Sequence, residues 1–212
     1  MTLFSEPLPG VKVLRPFVFE DARGNFVKPF HENQLAAHGI CITVREEFFS
    51  TSAAGVLRGM HFQTPPHAHQ KLVYCITGSV VDVILDLRKN SSTFGQSAGF
   101  ELSAANRHIV HIPAGFAHGF YSIEDNSCLI YKTNAVHAPA NDGGILWDSF
   151  GFQWKERAST SVDGLNRVDL ESANSDLPST ILPFNPSTGA FAPAISERDS
   201  KFPAFANFHS PF

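Results

Sequence analysis

Cysteine is scarce in this chain and unpaired in number: Cys41, Cys75 and Cys128 are the three, widely spaced and without a C-x-x-C pair. That excludes a disulfide framework and a zinc ribbon, and free thiols are expected. An excess of positive charge is also missing. The formal net charge of −4 argues against a general nucleic-acid or anionic-membrane surface, so any anionic ligand must be met by a local group of cations. No run is long and apolar enough to span a bilayer. The opening "MTLFSEPLPGVKVLRP" lacks the charged start, apolar stretch and small-residue cleavage site of an export signal, so the cytoplasm is the default expectation. Helix-forming text is sparse as well. "HENQLAAHG" suits about two turns stopped by Gly39, and frequent proline elsewhere works against long helices.

Phenylalanine, by contrast, is abundant: twenty residues against two Trp and two Met, a bias that favours strands. At 212 residues the chain is long enough to bury a real core without disulfides or metal. Strand text appears at "KLVYCIT", "SVVDVILDL", "HIVHIP" and "SCLIYKT", and the first two, flanking Gly78 and Ser79, read as a hairpin. An all-β fold is expected, a double-sheet roll or barrel of many short strands with few short helices. Composition shifts once. From Lys155 to Ala194 the text turns rich in Ser, Asn, Asp and Pro, which predicts an insertion or C-terminal arm (155–194) between a β domain (1–154) and a closing segment (195–212).

The stretch "RGMHFQTPPHAHQKLV" places three histidines and two cations beside a strand. Two readings compete for it. Metal-binding cupins pair a His-x-His motif, followed by a Glu, with P-x-G-x-x-H. Here "HAH" supplies His67 and His69 and "PAGFAH" supplies His118, but Val73 and Tyr74 stand where the Glu belongs. Three neutral imidazoles remain as a metal alternative, an oxygenase or isomerase, with a proline-flanked polar turn as the plain structural account. The other reading is proton transfer at carbon. Removing a proton beside a ketone needs a base, a cation or donor at the enolate oxygen and an acid to return the proton, and His, Lys and Tyr suit those roles. In "SCLIYKT", Leu129 and Tyr131 share a face, so Tyr131 is placed toward the interior, where a buried structural Tyr is the plain alternative.

The segments "GVLRGMHFQ", "QKLVYCITGSVVDVILDLR", "STFGQ", "IPAGFAHGF", "IYK" and "GILWDS" together resemble the dTDP-4-dehydrorhamnose 3,5-epimerase (RmlC) family of nucleotide-sugar epimerases in the cupin superfamily. "FEDARGNFVKPF" and "ISERDSKFP" match the same family's N-terminal strand and C-terminal segment, so the resemblance covers most of the chain outside the arm. It implies a cupin-type β-sandwich, a homodimer, no metal or cofactor, and inversion at carbons flanking a 4-keto group. His61 takes the place of the base, Asp199 of the carboxylate that orients it, Lys71 of the cation at the keto oxygen, and Tyr131 of the proton donor on the opposite face. Arg58, Arg198 and His118 match substrate-binding positions, as does Arg23, which the family implies reaches across to a partner subunit. The resemblance gives His67, His69, His108 and His111 no role.

Departures gather where the family meets the nucleotide base. Lys28, Glu46, Glu47 and Phe48 stand where other residues are usual, and His137 replaces a stacking tyrosine. Such swaps alter charge, hydrogen-bond sense and stacking, which is expected to change the base that is held, with CDP and GDP as competitors to dTDP. The sequence reads equally as a 3-, a 5- or a 3,5-epimerase of a nucleotide-linked 4-keto-6-deoxy hexose. A non-catalytic sugar-nucleotide binding barrel is the remaining alternative.

Overall fold

The computed structural model describes residues 1–154 and 192–212. Thirteen short strands occupy these residues: β1 (Thr2–Ser5), β2 (Lys12–Arg15), β3 (Phe17–Asp21), β4 (Gly24–Lys28), β5 (Glu46–Ser52), β6 (Leu57–Gln63), β7 (Lys71–Thr77), β8 (Ser79–Asp86), β9 (Ser97–Ser103), β10 (Ile109–Ile112), β11 (Phe116–Ser122), β12 (Ser127–Thr133) and β13 (Asp142–Gly144). They form a six-stranded sheet in the order β1-β2-β10-β7-β12-β5, a five-stranded sheet in the order β13-β6-β11-β8-β9, and a separate β3-β4 hairpin. All pairings between named strands are antiparallel. The expected all-β cupin-type double-sheet architecture is what the chain adopts.

The inner faces of the two sheets supply one core. Val13, Val73, Val110, Leu129 and Tyr131 from the six-stranded sheet pack with Val80, Ile84, Phe100, Leu102 and Phe120 from the five-stranded one. A second apolar layer covers the outside of the five-stranded sheet. There Leu57, Met60, Val81, Val83 and Leu85 meet Trp147, Phe150, Phe152, Trp154, Phe205, Phe208 and Phe212. With both faces covered, β8 is buried at all eight positions, which is why "SVVDVILD" reads as a continuous apolar run and not as an alternation. β12 is covered more fully on one side and alternates, burying Ser127, Leu129, Tyr131 and Thr133. The short helix α1 (Glu32–Ala36) lays Leu35 against Leu72 and Ile109 on the outside of the six-stranded sheet. Gly39, at φ +73, ends it with the Ile40 N–H bonded back to the Leu35 carbonyl.

One strand expectation fails. β7 and β8 do not form a hairpin: β7 lies between β10 and β12, and β8 lies between β11 and β9 in the other sheet. Both are interior strands whose edges are already paired. Gly78, at φ +72, is therefore a corner that carries the chain from one sheet to the other, and the next amide, Ser79 N–H, is held by the Ser127 hydroxyl. The predicted arm at 155–194 lies outside the described residues except for its last three, of which Ala194 forms a parallel bridge to Val56. Among the described residues no helix is long and apolar enough to cross a membrane.

Candidate active site

A cleft of about 300 Å³ opens between the two sheets. His61, Lys71, Tyr131, Arg58 and His118 line it, with Glu46, His137 and Arg198 among its other lining residues. Strict alternation along β6 would put Arg58 and His61, three residues apart, on opposite faces. The pairing of β6 with β11 is irregular between His118 and Phe120, and this break at Gly59 and Met60 lets both Arg58 and His61 reach the cleft. Glycine is required there. Gly59 has φ +130, and a Cβ on it would lie 2.5 Å from the Cα of Gly119 on the neighbouring strand.

Asp199 holds His61 from a residue 138 positions away in sequence. The His61 Nε2–H donates to Asp199 Oδ1 at 2.9 Å, while Oδ2 accepts the Gly59 N–H at 3.0 Å. Burial alone would raise the pKa of this carboxyl, but the hydrogen bonds from His61, Gly59 and Ser196 outweigh it and hold Asp199 below its ordinary value. An ionised Asp199 fixes the His61 proton on Nε2 and leaves the Nδ1 lone pair free. Phe202 packs edge-on to the ring, 5.6 Å between centroids.

Lys71, at the start of β7 in the facing sheet, is buried, with its Nζ 3.4 Å from the His61 carbonyl. Desolvation lowers its pKa to about 8, against the pull of Asp82 and Asp142. It remains largely an ammonium at neutral pH, and its short list of protein contacts leaves it able to bind a ligand oxygen. Tyr131, on β12 of the same sheet as Lys71, reaches the cleft with its hydroxyl 3.4 Å from the Ser50 Oγ. Phe48 stacks on its ring at 4.7 Å, and burial raises its pKa, so the phenol keeps its proton.

Sequence reasoning missed Asp82, which carries His118. The His118 Nε2–H donates to Asp82 Oδ2 at 2.7 Å, and both side chains are almost wholly buried. Burial lowers the His118 pKa, with Asp82 opposing. The other oxygen, Asp82 Oδ1, is buried without a partner among the described residues. The available signal was an aspartate in the middle of the apolar "SVVDVILDL". Ser50, Gln63, His69 and Asp142 also line the cleft and were not singled out as substrate contacts.

The cleft mouth is a charged cluster. Arg198 Nη2 meets Asp142 Oδ2 at 2.6 Å, His137 Nε2 meets the same oxygen at 3.2 Å, and the His137 N–H donates to Glu46 Oε2 at 2.6 Å. Arg58 is steered by β5, donating from Nε to Ser52 Oγ at 3.0 Å. Arg23 and Lys28 lie outside the cleft. Both sit on the β3-β4 hairpin, Arg23 paired with Asp21 and fully in solvent, Lys28 near the Phe26 ring. The three histidines of the metal alternative are dispersed: His67 is exposed, His69 is engaged by Gln63, and His118 by Asp82. Among the described residues no group of three His, Cys, Asp or Glu is placed to hold a metal ion.

Two facing β-sheets with an Asp-held imidazole on one wall and a phenol and an ammonium on the other define a class, the cupin-type epimerases. The family model for dTDP-4-dehydrorhamnose 3,5-epimerase matches residues 5–207. The dTDP-4-dehydrorhamnose 3,5-epimerase of Shigella flexneri is 40% identical over 178 residues, covering 81% of this chain and 98% of the relative. Among solved structures, the Bacillus anthracis enzyme of that name, with TDP and PPi bound, has a TM-score of 0.75 at 30% identity, covering 96% of this chain and 98% of that one. The dTDP-6-deoxy-D-glucose-3,5-epimerase of Legionella pneumophila, in complex with dTDP-4-keto-L-rhamnose, has a TM-score of 0.77 at 26% identity, covering 98% and 94%. The chain therefore belongs to the dTDP-4-dehydrorhamnose 3,5-epimerase family, and it is an isomerase that acts on a nucleotide-linked sugar.

Proposed function

We propose that the chain inverts C3 and C5 of a dTDP-linked 4-keto-6-deoxy hexose, with His61 as base and Tyr131 as acid. The observation that carries this is the pairing of walls: His61 stands on the five-stranded sheet and Tyr131 on the six-stranded sheet, so a ring lying between them presents opposite faces to the two groups. His61 Nδ1 takes the proton alpha to the ketone while Asp199 supports the imidazolium that forms. The Lys71 ammonium lies over the keto oxygen and stabilises the enolate, where a preorganised charge in a dry site is worth most. Tyr131, kept protonated by burial, delivers a proton to the other face. Arg58 and Arg198 meet the sugar or its diphosphate, with His118 completing the wall.

Several finer points belong to the same proposal. The relatives named above support dTDP, which we prefer to CDP and GDP, and Phe48, one of the altered positions, is stacked on Tyr131 and so helps to hold the acid. Glu46, His137 and Lys28 remain candidates for contact with the base. A homodimer accounts for the bare surface of the β3-β4 hairpin and the β5 edge, where Phe17, Phe19, Phe26, Phe48 and Phe49 are exposed. In that dimer Arg23 and Lys28 of one subunit would serve the cleft of the other. Residues 195–212 form a closing segment that brings Arg198 and Asp199 to the β domain of 1–154, with 155–194 as an appended arm. The cytoplasm is the proposed site of action.

The test is a reaction in deuterated water with dTDP-, CDP- and GDP-linked 4-keto-6-deoxyglucose. Label at both C3 and C5 of the dTDP sugar, with an inverted product, is expected. Absence of exchange from all three would refute the proposal, and faster exchange with CDP or GDP would reassign the base.

A further inference from the structure

Gln63 sits at the end of β6, and its amide orientation is fixed by two groups of unambiguous sense. The Ala138 backbone N–H, which can only donate, points at one atom of the amide from 2.6 Å, so that atom is Oε1. The His67 carbonyl, which can only accept, lies 2.9 Å from the other, so that atom is Nε2. The remaining Nε2 hydrogen lies on His69 Nδ1 at 3.0 Å. Nδ1 must therefore offer a lone pair, and a neutral His69 carries its proton on Nε2.

The groups facing His69 keep it neutral. Burial is the first cause and the Lys71 ammonium the second of a pKa pushed down to about 4, with His137 acting in the same sense, and Asp142 and the backbone at His67 opposing. Protonating Nδ1 would also set its hydrogen against the Gln63 amide. His69 lines the cleft, with its Nδ1 taken by the Gln63 amide. Its place is two residues before Lys71, with Asp142 and His137 of the cleft mouth as its other titratable neighbours. An uncharged donor whose proton cannot leave suits an uncharged oxygen, whereas a phosphate is better met by guanidinium.

We propose that His69 is a specificity-determining residue, its Nε2–H locked by Gln63 as a neutral hydrogen-bond donor to an uncharged oxygen of the sugar lying between Lys71 and the cleft mouth. Gln63 is then a positioning residue that acts through His69. The inference rests on the function proposed above.

The experiment compares His69→Phe, which keeps a ring without the donor, with His69→Gln, whose amide N–H reaches a similar point. His69→Phe is expected to lower kcat/KM for the dTDP-4-keto sugar about 10- to 100-fold, and His69→Gln to restore it to within about fivefold of native. Calorimetric affinity for dTDP alone should stay within about twofold in both variants, since the donor addresses the sugar, which a misfolded cleft would not allow. Long-range ¹H–¹⁵N spectra of the native enzyme should show His69 Nδ1 unprotonated from pH 5 to 8. In Gln63→Glu the carboxylate calls for a proton on Nδ1, so kcat/KM should gain an ionisation in that range. An active native enzyme whose His69→Phe variant keeps its kcat/KM, or a spectrum with the proton on Nδ1, overturns the inference and leaves the function standing. A native enzyme without solvent exchange overturns both.

Discussion

Replacing Asp199 by asparagine keeps the shape of the side chain and removes one charge and one acceptor. Asp199 is 4% exposed, and each of its oxygens serves a different donor, Oδ1 the His61 ring and Oδ2 the Gly59 amide. Asparagine has only one acceptor for these two groups. If its oxygen faces Gly59, its NH2 points at His61 Nε2, which must then accept. The ring proton moves to Nδ1, the nitrogen assigned to the substrate. If the amide is reversed, its NH2 meets the Gly59 N–H and leaves a buried backbone donor unpaired, at a cost of about 1–3 kcal/mol. That difference alone suppresses the competent tautomer by roughly 5- to 150-fold, from the relation of 1.4 kcal/mol per decade. Loss of the charge opposite the forming imidazolium adds to it, and the expected fall in kcat is about 10²–10⁴-fold, in the range known for Asp-to-Asn changes behind a catalytic His. The assay is single-turnover deuterium incorporation into the dTDP-4-keto sugar, with dTDP affinity measured alongside to show an intact cleft. A variant within about threefold of native would refute the dyad.

Three further outcomes are expected. Lys71 should set an alkaline limb: with its pKa lowered to about 8, activity should fall about tenfold by pH 9, and Lys71→Met should be slow at all pH with no such limb. Stability moves the other way, because the unfolded lysine holds its proton to about pH 10.4 and the folded one loses it near 8, so stability should rise between these values by about 3 kcal/mol at most. Urea midpoints that fall across this window, or an unchanged limb in Lys71→Met, would contradict this. Gly59→Ala should cost more than about 3 kcal/mol and abolish turnover, since the new methyl meets backbone at 2.5 Å and the backbone sits at φ +130; a midpoint shift below about 1 kcal/mol would show that the strands can separate. Asp86, fully buried under the Arg88 fork, Ser91 and Thr93, is held at about 2, burial opposing and these hydrogen bonds prevailing. Its folded value lies below the unfolded ~3.9, so its contribution of about 2 kcal/mol is present above pH 4 and lost as pH falls toward 2; the destabilisation by Asp86→Asn should shrink over that window. A cost independent of pH would place its role in packing instead.

Local pattern made much of this molecule legible. The apolar text of β7, β8, β10 and β12 is read directly because a strand buried on one or both faces leaves a period-2 or continuous apolar signature. The same text cannot say which strands pair, and so the Gly78 corner read as a hairpin turn: a single positive-φ glycine between two apolar runs serves either geometry. Residue chemistry says only that His, Lys and Tyr suit the three roles and that Tyr131 faces inward; the particular roles of His61, Lys71, Tyr131 and Asp199 come through the resemblance, and nothing local links His61 to Asp199, 138 positions apart. Asp82 shows the opposite failure. It stands in plain view inside β8, but its meaning depends on His118 of the adjacent strand, and pairing is a tertiary fact. The cluster of Asp142, Arg198, His137 and Glu46 joins four separate segments in the same way. Gln63 and His69 are close in sequence, but the sense of their hydrogen bond needs the distant Ala138 amide to define it.

The most direct measurement separates proton removal from proton return. Tyr131→Phe and His61→Ala are each incubated with the dTDP-4-keto sugar in deuterated water, and label and configuration are read at C3 and C5. With base and acid on opposite walls, Tyr131→Phe should exchange hydrogen for deuterium with inversion reduced about 100-fold or more, and His61→Ala should do neither. Inversion by Tyr131→Phe at a native rate, or exchange by His61→Ala, would contradict the assignment of the two walls.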